Sequence, residues 1–190
     1  MDKYIYFGSY PQSGNEKEPI KWQVLEENNG ELLLLTDKII DSKEFNTGKD
    51  NNYKTSDIRK WLNTNFYEAA FNTNEQSRIV TKSIENESVN DKLTIKDKVF
   101  LLSKDEAEKY LSCDYDRRKQ GTNYAKNNGL YVNNVNGLWL LRTPSIVSSN
   151  RVFYVSEYGD IDDYDNYVGD TDTGIAPAIV IKKIKSIDNI

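Results

Sequence analysis

The chain has 190 residues and a formal net charge of −5, and 37 % of its residues are hydrophobic and 12 % aromatic. This length and composition predict a single globular domain, residues 1–190, that buries a core without metals or disulfides. The chain has no His and one Cys, Cys113, which excludes histidine-based triads, histidine metal ligands and an internal disulfide.

The N-terminus lacks a basic region followed by an apolar stretch, and no apolar run approaches the roughly 20 residues that span a bilayer. We therefore expect a cytoplasmic protein without a membrane anchor. A chain whose leader had been removed would have the same sequence, so an exported or cell-surface form stays open.

The first part of the chain predicts strands. Residues from Tyr4 to Tyr10 alternate as a strand does, and residues 20–40 indicate two strands joined at Asn28-Asn29-Gly30. Asn-Gly between apolar runs favours a two-residue hairpin turn because both residues tolerate a positive φ. The core residues predicted for this hairpin are Trp22, Val24, Leu33 and Leu35.

Helical patterns follow between residues 56 and 111. Ser56 is a candidate N-cap for a helix with apolar residues at helical spacing, and residues 74–81 predict a second, short helix. A buried strand at residues 99–102 leads into a third helix, where Ser103 and Glu106 have the spacing of a capping box. We predict that Trp61 in the first helix and Trp139 in a later apolar strand both lie in the core.

The C-terminal third predicts two apolar strands around a polar excursion. Residues 138–141 are apolar on both faces of a strand, and residues 175–181 form a β-branched run with Pro177 at a bulge or sheet edge near its start. Between them, alternation places Phe153, Val155 and Ile161 towards the core, and Tyr158-Gly159-Asp160 is a candidate hairpin turn.

The excursion carries the charge asymmetry of the chain. Residues 152–181 contain no Lys or Arg and seven acids, so the remainder carries about +2; the acids are Glu157, Asp160, Asp162, Asp163, Asp165, Asp170 and Asp172. Such a patch repels nucleic acid and favours a cationic, hydroxylated or protein partner.

The same segment is rich in Tyr, Asp, Asn and Ser, as antibody binding loops are. Tyrosine offers a large rigid contact area, and the short polar side chains adapt their hydrogen bonds. We predict a ligand-binding surface made of Tyr154, Ser156, Tyr158, Asp160, Asp162, Tyr164, Asn166 and Tyr167. The alternative is a pair of solvated loops without a ligand.

Six short motifs together resemble a known family. They are FGSYPQ at 7–12, IKWQVLE at 20–26, SDIRKWLN at 56–63, KDKVFLLS at 96–103, WLLRTP at 139–144 and GIAPAIVI at 174–181. In this order and spacing they resemble the bacterial family of domain of unknown function 6273, over nearly the whole chain. That family usually carries Arg where this chain has Ala176, so no role of that Arg is transferred.

The family in turn resembles the C-type-lectin-like fold of formylglycine-generating enzymes and of the variable proteins of diversity-generating retroelements. This resemblance implies an α+β domain with small antiparallel sheets, two or three flanking helices and long ordered loops. It also implies that the first and last strands pair and that the loops before the final strand form the binding surface. One Cys cannot form the two-cysteine site of the formylglycine-generating enzymes.

Other chemistries have less support in the sequence. Asp160 and Asp162 on one strand face would lie roughly 7 Å apart, as the carboxylates of a hydrolase can. The acidic segment does not match the spacing of an EF-hand, so the remaining calcium hypothesis is an adventitious or weakly bound structural ion. No Gly-rich phosphate loop is present, and the basic tract at residues 116–120 indicates a solvated loop more than a nucleic-acid site.

The sequence thus predicts a non-catalytic recognition module, without a cofactor or a metal, that binds a protein or a glycan and neither nucleic acid nor membrane. One alternative is a small inhibitor or decoy from a phage or mobile element, whose acidic face engages a basic host protein. The other is a carboxylate-dependent hydrolase. The salt dependence of binding distinguishes the recognition module from the decoy, because the affinity of a decoy would collapse as ionic strength rises.

Overall fold

The computed structural model describes residues 3–86, 93–164 and 166–183. The strands are β1 (Tyr4–Pro11), β2 (Lys17–Asn28), β3 (Glu31–Thr36), β4 (Asp41–Ser42), β5 (Lys82–Glu85), β6 (Thr94–Asp97), β7 (Val99–Phe100), β8 (Lys119–Gln120), β9 (Val132–Asn133), β10 (Asn136–Gly137), β11 (Trp139–Pro144), β12 (Val152–Val155), β13 (Ile161–Asp162), β14 (Gly174–Ile175) and β15 (Ala178–Lys182).

The helices are short, and the strands that they connect pair mainly in antiparallel fashion, so the fold is α+β. They are α1 (Asp57–Trp61), α2 (Tyr67–Ala70), α3 (Thr73–Arg78), α4 (Lys104–Tyr110), α5 (Asp114–Arg117) and α6 (Asn123–Asn127). A 3₁₀ turn, Tyr53–Thr55, precedes α1, and a π-helical turn, Leu62–Phe66, joins α1 to α2.

Two sheets dominate the part of the chain that the structure describes. The terminal sheet has the strand order β1-β2-β3-β15-β7, and the loop sheet has the order β13-β12-β11-β14-β4. Shorter ribbons are formed by β8-β10-β9 and by β5-β6. The first and last strands share the terminal sheet, but the prediction that they pair directly is wrong. The tight β2–β3 hairpin leaves the far edge of β3 to receive β15.

The last apolar run changes sheets. Within it, β14 pairs with β11 and β4 in the loop sheet, whereas β15 pairs with β3 and β7 in the terminal sheet. The change falls at Ala176-Pro177, where Pro has no amide hydrogen for a ladder. The sequence predicted one strand with a bulge or a sheet edge near its start. The run is instead divided into β14 and β15, and β15 lies inside its sheet.

The predicted β2–β3 hairpin is confirmed, with Asn29 at φ 50° and Gly30 at φ 77°. Trp22 and Leu35 are buried as predicted, but Val24 and Leu33 are only half-buried. A β-bulge between Val24 and Glu26 shifts the register of β2, and the core side chains of β3 are instead Leu32, Leu34 and Leu35.

Local helix signals are confirmed by their hydrogen bonds. Ser56 caps α1 by accepting from the Arg59 amide, and Ser103 and Glu106 form the predicted capping box of α4. Trp139 is fully buried, as predicted, and its indole nitrogen donates to the Arg117 carbonyl at 3.0 Å. Trp61 is only half-buried against the core, with the Lys43 ammonium 5.0 Å from its ring centroid.

The carboxylate of Asp41 is buried where the two main sheets meet. It accepts hydrogen bonds from the Tyr10 hydroxyl (2.8 Å), the Asn128 amide (2.9 Å) and the Ser42 backbone N–H (2.8 Å). Burial raises the pKa of the Tyr10 phenol, and the Asp41 carboxylate raises this pKa further, so the phenol remains a donor. These bonds join β1, β4 and the C-terminus of α6.

Lys119 is a buried cation in β8. Its ammonium donates to the Thr36 carbonyl at 2.6 Å and lies 5.7 Å from the Trp139 ring centroid. Loss of hydration on burial lowers the pKa of Lys119 to about 8, although nearby Asp37 partly opposes this shift. The unfolded chain keeps this proton up to its ordinary value near 10.5.

This difference predicts that folding stability rises with pH through the interval between these two pKa values. In that interval the unfolded chain binds the proton and the folded chain does not, which contributes about 3 kcal/mol over the full interval. The measurement is urea unfolding from pH 7 to pH 11 of wild type and of Lys119→Met, which removes the titrating group. A wild-type curve parallel to that of Lys119→Met would contradict a depressed pKa.

We also predict that a chain ending at Pro177 does not fold, because it lacks β15, whose residues Ala178–Ile181 are buried between β3 and β7. A chain ending at Lys183 keeps β15 and is the matched control. Thermal unfolding followed by circular dichroism should show a cooperative transition for the control only. A cooperative transition in the shorter chain would show that β15 is dispensable.

Candidate functional site

The predicted acidic hairpin forms from β12 and β13. Tyr154 pairs with Asp162 and Val155 with Ile161, and the turn between them contains Tyr158-Gly159 as predicted. The turn is closed by Ser156, whose backbone N–H donates to the Asp160 carbonyl at 2.8 Å and whose hydroxyl accepts from the Tyr158 backbone N–H. The hairpin is therefore ordered by its own polar residues.

The tip of the hairpin rests on the α5 segment. The Arg117 guanidinium donates to the Gly159 carbonyl, and the Arg118 guanidinium to the Tyr158 carbonyl, each at 2.7 Å. Arg117 and Lys119 are buried, so the interpretation of residues 116–120 as a solvated loop is wrong for both of these cations. They serve as internal donors to backbone carbonyls.

The predicted alternation of core-facing and exposed side chains along the hairpin is found for most of its residues. Val155 is buried, and Phe153 and Ile161 are half-buried against the core. Tyr158, Asp160 and Asp162 are exposed, whereas Tyr154 and Ser156 are half-buried. The Tyr154 hydroxyl donates to the Tyr164 carbonyl at 3.0 Å, so this tyrosine supports the returning chain more than it faces solvent.

Asn166 is the one predicted site residue that lies inside the protein. Its side chain is 4 % exposed and accepts a hydrogen bond from the Thr173 hydroxyl at 2.9 Å. Its prediction as part of the exposed surface is therefore wrong. The local composition resembled a binding loop, but at this position the chain turns inward. The neighbouring Tyr164 and Tyr167 are 63 % and 41 % exposed.

Arg151 organises these two exposed tyrosines. Its guanidinium carbon lies 5.3 Å from the Tyr164 ring centroid and 5.0 Å from the Tyr167 ring centroid, and it donates to the Tyr167 hydroxyl at 3.2 Å. Cation–π contacts of this kind hold flexible side chains in one arrangement. Two aromatic rings and a cation are thus positioned together before any ligand binds.

The loop between β11 and β12 lies beside this group and is fixed by Asn51. The Asn51 side-chain nitrogen donates to the carbonyls of Ser145, Ser148 and Arg151 at distances from 2.9 to 3.1 Å. Ile146 and Val147 in this loop are 81 % and 76 % exposed. Residues 150–151 also bridge to residues 167–168, so the loop and the tyrosine segment are continuous.

We call the group formed by these segments the Arg151 surface; it consists of the half-buried Arg151 and the exposed residues Ile146, Val147, Tyr164 and Tyr167. Sequence reasoning missed three of these residues. Arg151 immediately precedes the acidic segment, and Ile146-Val147 is an apolar pair in a Ser-rich loop, which was a usable signal. Nothing local identified Asn51, because its partners lie 94 to 100 positions away.

Several acids of the segment shape turns. One Asp162 oxygen accepts from the backbone N–H groups of Asp163 and Tyr164, and Asp170 accepts from that of Tyr167. Asp165 lies outside the described residues. Within the described ranges, no group of three or more Cys, Asp or Glu side chains is arranged to hold a metal ion, and no helix is long and apolar enough to cross a membrane.

Gly159 provides a test of how the hairpin tip is held. Its φ is +96°, and a Cβ built there would lie 1.9 Å from the Asp114 carbonyl oxygen. Gly159→Ala should therefore lower the free energy of unfolding by about 1–3 kcal/mol, as left-handed strain and a backbone clash require.

Gly169→Ala is the control, since a Cβ at Gly169 meets nothing within 4 Å. Urea unfolding of both variants measures the difference. Equal stability of the two variants would show that the tip is not packed against α5.

Comparison with known proteins gives one match. A family model described as "Domain of unknown function (DUF6273)" matches residues 29–183, which is most of the chain and includes the Arg151 surface. No curated protein and no solved structure matches.

Proposed function

Since the chain belongs to the family of domain of unknown function 6273, we propose that it is a non-catalytic recognition module on a C-type-lectin-like scaffold. Its ligand is a protein, which it binds through the Arg151 surface. The scaffold assignment is supported by a sheet that contains both the first and the last strand and by long loops that precede the last strand.

The observation that carries this proposal is the Arg151 guanidinium between the Tyr164 and Tyr167 rings. Tyrosine and arginine are enriched among the few residues that contribute most of the energy of an interface. Here the two tyrosines are exposed and can meet a partner, and the half-buried Arg151 already orders them. Little side-chain entropy would then be lost on binding, which leaves more of the contact energy for affinity.

Ile146 and Val147 favour a protein over a glycan as the ligand. Two adjacent aliphatic side chains that are more than three-quarters exposed offer apolar area next to the aromatic group. Protein interfaces combine such an apolar centre with a polar rim, and Asp162, Asp163 and Asp170 provide that rim here. The acidic rim favours a partner with basic residues around an apolar contact.

The decoy hypothesis has weaker support from the geometry. Asp160, Asp162 and Asp170 accept hydrogen bonds from neighbouring groups of the same segment, so their positions serve the turns as well as the surface charge. Arg151 also places a cation against Tyr164 and Tyr167 of the acidic segment, whereas a mimic of nucleic acid requires a continuous negative face.

We predict that Tyr164→Ser combined with Tyr167→Ser raises the dissociation constant for the partner roughly 100-fold or more, the scale of losing hot-spot residues. Ile146→Ser combined with Val147→Ser should weaken binding as well. The control combines Tyr131→Ser with Val135→Ser, which changes a tyrosine and an aliphatic residue that are 46 % and 51 % exposed on another loop.

The partner is first captured from a lysate of the native organism by a photo-crosslinking amino acid at position 147, with the same probe at position 135 as reference. It is then purified, and its affinity is measured by calorimetry. Each variant should lose less than about 1 kcal/mol of stability, because the substituted positions are exposed.

Normal affinity of the Tyr164/Tyr167 variant would place the binding surface elsewhere. An affinity that collapses with salt would favour the decoy, and capture that is abolished by glycosidase treatment would favour a glycan.

A further inference from the structure

A polar cavity that is separate from the Arg151 surface lies where β1, β2, α5 and β8 meet. Its volume is about 400 Å³, and its wall includes Tyr4, Gln23, Tyr115, Arg118, Gln120 and Asn136. This volume lies within the range of small-molecule sites. None of these residues belongs to the Arg151 surface.

Three side chains of this wall carry a carboxamide group. Gln23, Gln120 and Asn136 make no side-chain hydrogen bond to any residue in the part of the chain that the structure describes. By contrast, Asn63 and Gln76 donate to backbone carbonyls at 2.8 and 2.9 Å. A carboxamide offers two donors and an acceptor. The cavity therefore presents several donors and acceptors at once, which suits a ligand whose groups act as both.

Two tyrosine rings border the same cavity. Tyr4 is 40 % exposed and has the Lys21 ammonium 4.0 Å from its ring centroid, while Tyr115 is 77 % exposed with the Arg118 guanidinium 6.0 Å away. Tyrosine combines an apolar ring face with a polar hydroxyl. These rings can cover the C–H faces of a ligand while the amides bind its polar edges.

The charges of the wall balance. The lining contains two acids, Asp37 and Asp116, and two cations, Arg118 and Lys119. Asp37 also forms an ion pair with Lys21 at 3.2 Å. This balance disfavours a strongly charged ligand such as a phosphate ester. Leu111 is the aliphatic residue of the lining, which disfavours an apolar ligand. A neutral ligand with many hydroxyl groups and C–H faces meets both conditions.

We propose that this cavity binds a neutral saccharide. Gln23, Gln120 and Asn136 exchange hydrogen bonds with its hydroxyls, and the Tyr4 and Tyr115 rings cover its C–H faces. A neighbouring cavity of about 510 Å³ shares Asp37 and continues past Tyr6 and Gln12. We call the two cavities together the groove; a linear oligosaccharide, rather than a single sugar, would be long enough to occupy both.

The experiment titrates the full chain with cellobiose, maltose, lactose and N,N′-diacetylchitobiose. Each is added up to about 10 mM, which detects a dissociation constant near about 1 mM. Binding is followed by the side-chain amide resonances of the protein. At least one disaccharide should shift the resonances of Gln23, Gln120 and Asn136.

Gln120→Ala combined with Asn136→Ala should weaken that binding roughly tenfold or more, because hydroxyls of the saccharide lose their hydrogen-bond partners. Tyr115→Ser should weaken it as well. The matched controls Asn127→Ala and Tyr131→Ser, which change exposed residues outside both cavities, should leave it unchanged.

The proposal is overturned if none of the four disaccharides shifts these amides, or if the Gln120/Asn136 variant binds as wild type does. Its outcome is independent of the protein partner. The Tyr164/Tyr167 variant should keep saccharide binding, and the Gln120/Asn136 variant should keep the protein partner. Loss of the protein partner in the Gln120/Asn136 variant, without any saccharide binding, would assign the groove to that protein instead.

Discussion

The arrangement of the two sheets depends on the hydrogen bonds that the buried Asp41 carboxylate accepts. This carboxylate accepts from Tyr10 in the terminal sheet and from Asn128 at the end of α6, while its own strand β4 belongs to the loop sheet. A buried carboxylate without donors would be strongly destabilising, so all these elements must meet at one point for the charge to be tolerated. This one buried charge thus holds β1, β4 and the end of α6 together.

The exposed surfaces are held by a common device, a side chain that donates to backbone carbonyls of another segment. Asn51 fixes the loop that presents Ile146 and Val147, and Arg117 fixes the tip of the acidic hairpin through Gly159. Amide and guanidinium groups suit this task because each carries several donors. Long polar loops can in this way be ordered by side-chain donors, in a chain whose single Cys cannot form an internal disulfide.

Local features of the fold could be predicted and distant ones could not. The Asn29-Gly30 turn and the Ser103–Glu106 capping box depend on neighbouring residues, so their spacing was sufficient. The partner of β15 lies far along the chain, in β3, and the fold resemblance misplaced it. The burial of Asn166 depends on how the chain turns towards Thr173, which composition does not specify. For the same reason the tyrosines of the site were recognised but Arg151, which needs two rings 13 and 16 positions away, was not.

The way Asn51 holds its loop separates the shape of that loop from its side chains. All three bonds from the Asn51 side chain end on main-chain oxygens, which every residue type possesses, and the side chains at 146 and 147 take no part in them. Substitutions at these two positions therefore alter what the loop displays and leave its path unchanged. The loop is a natural position for randomised libraries or for grafting a foreign recognition sequence, with Asn51 kept constant as the template.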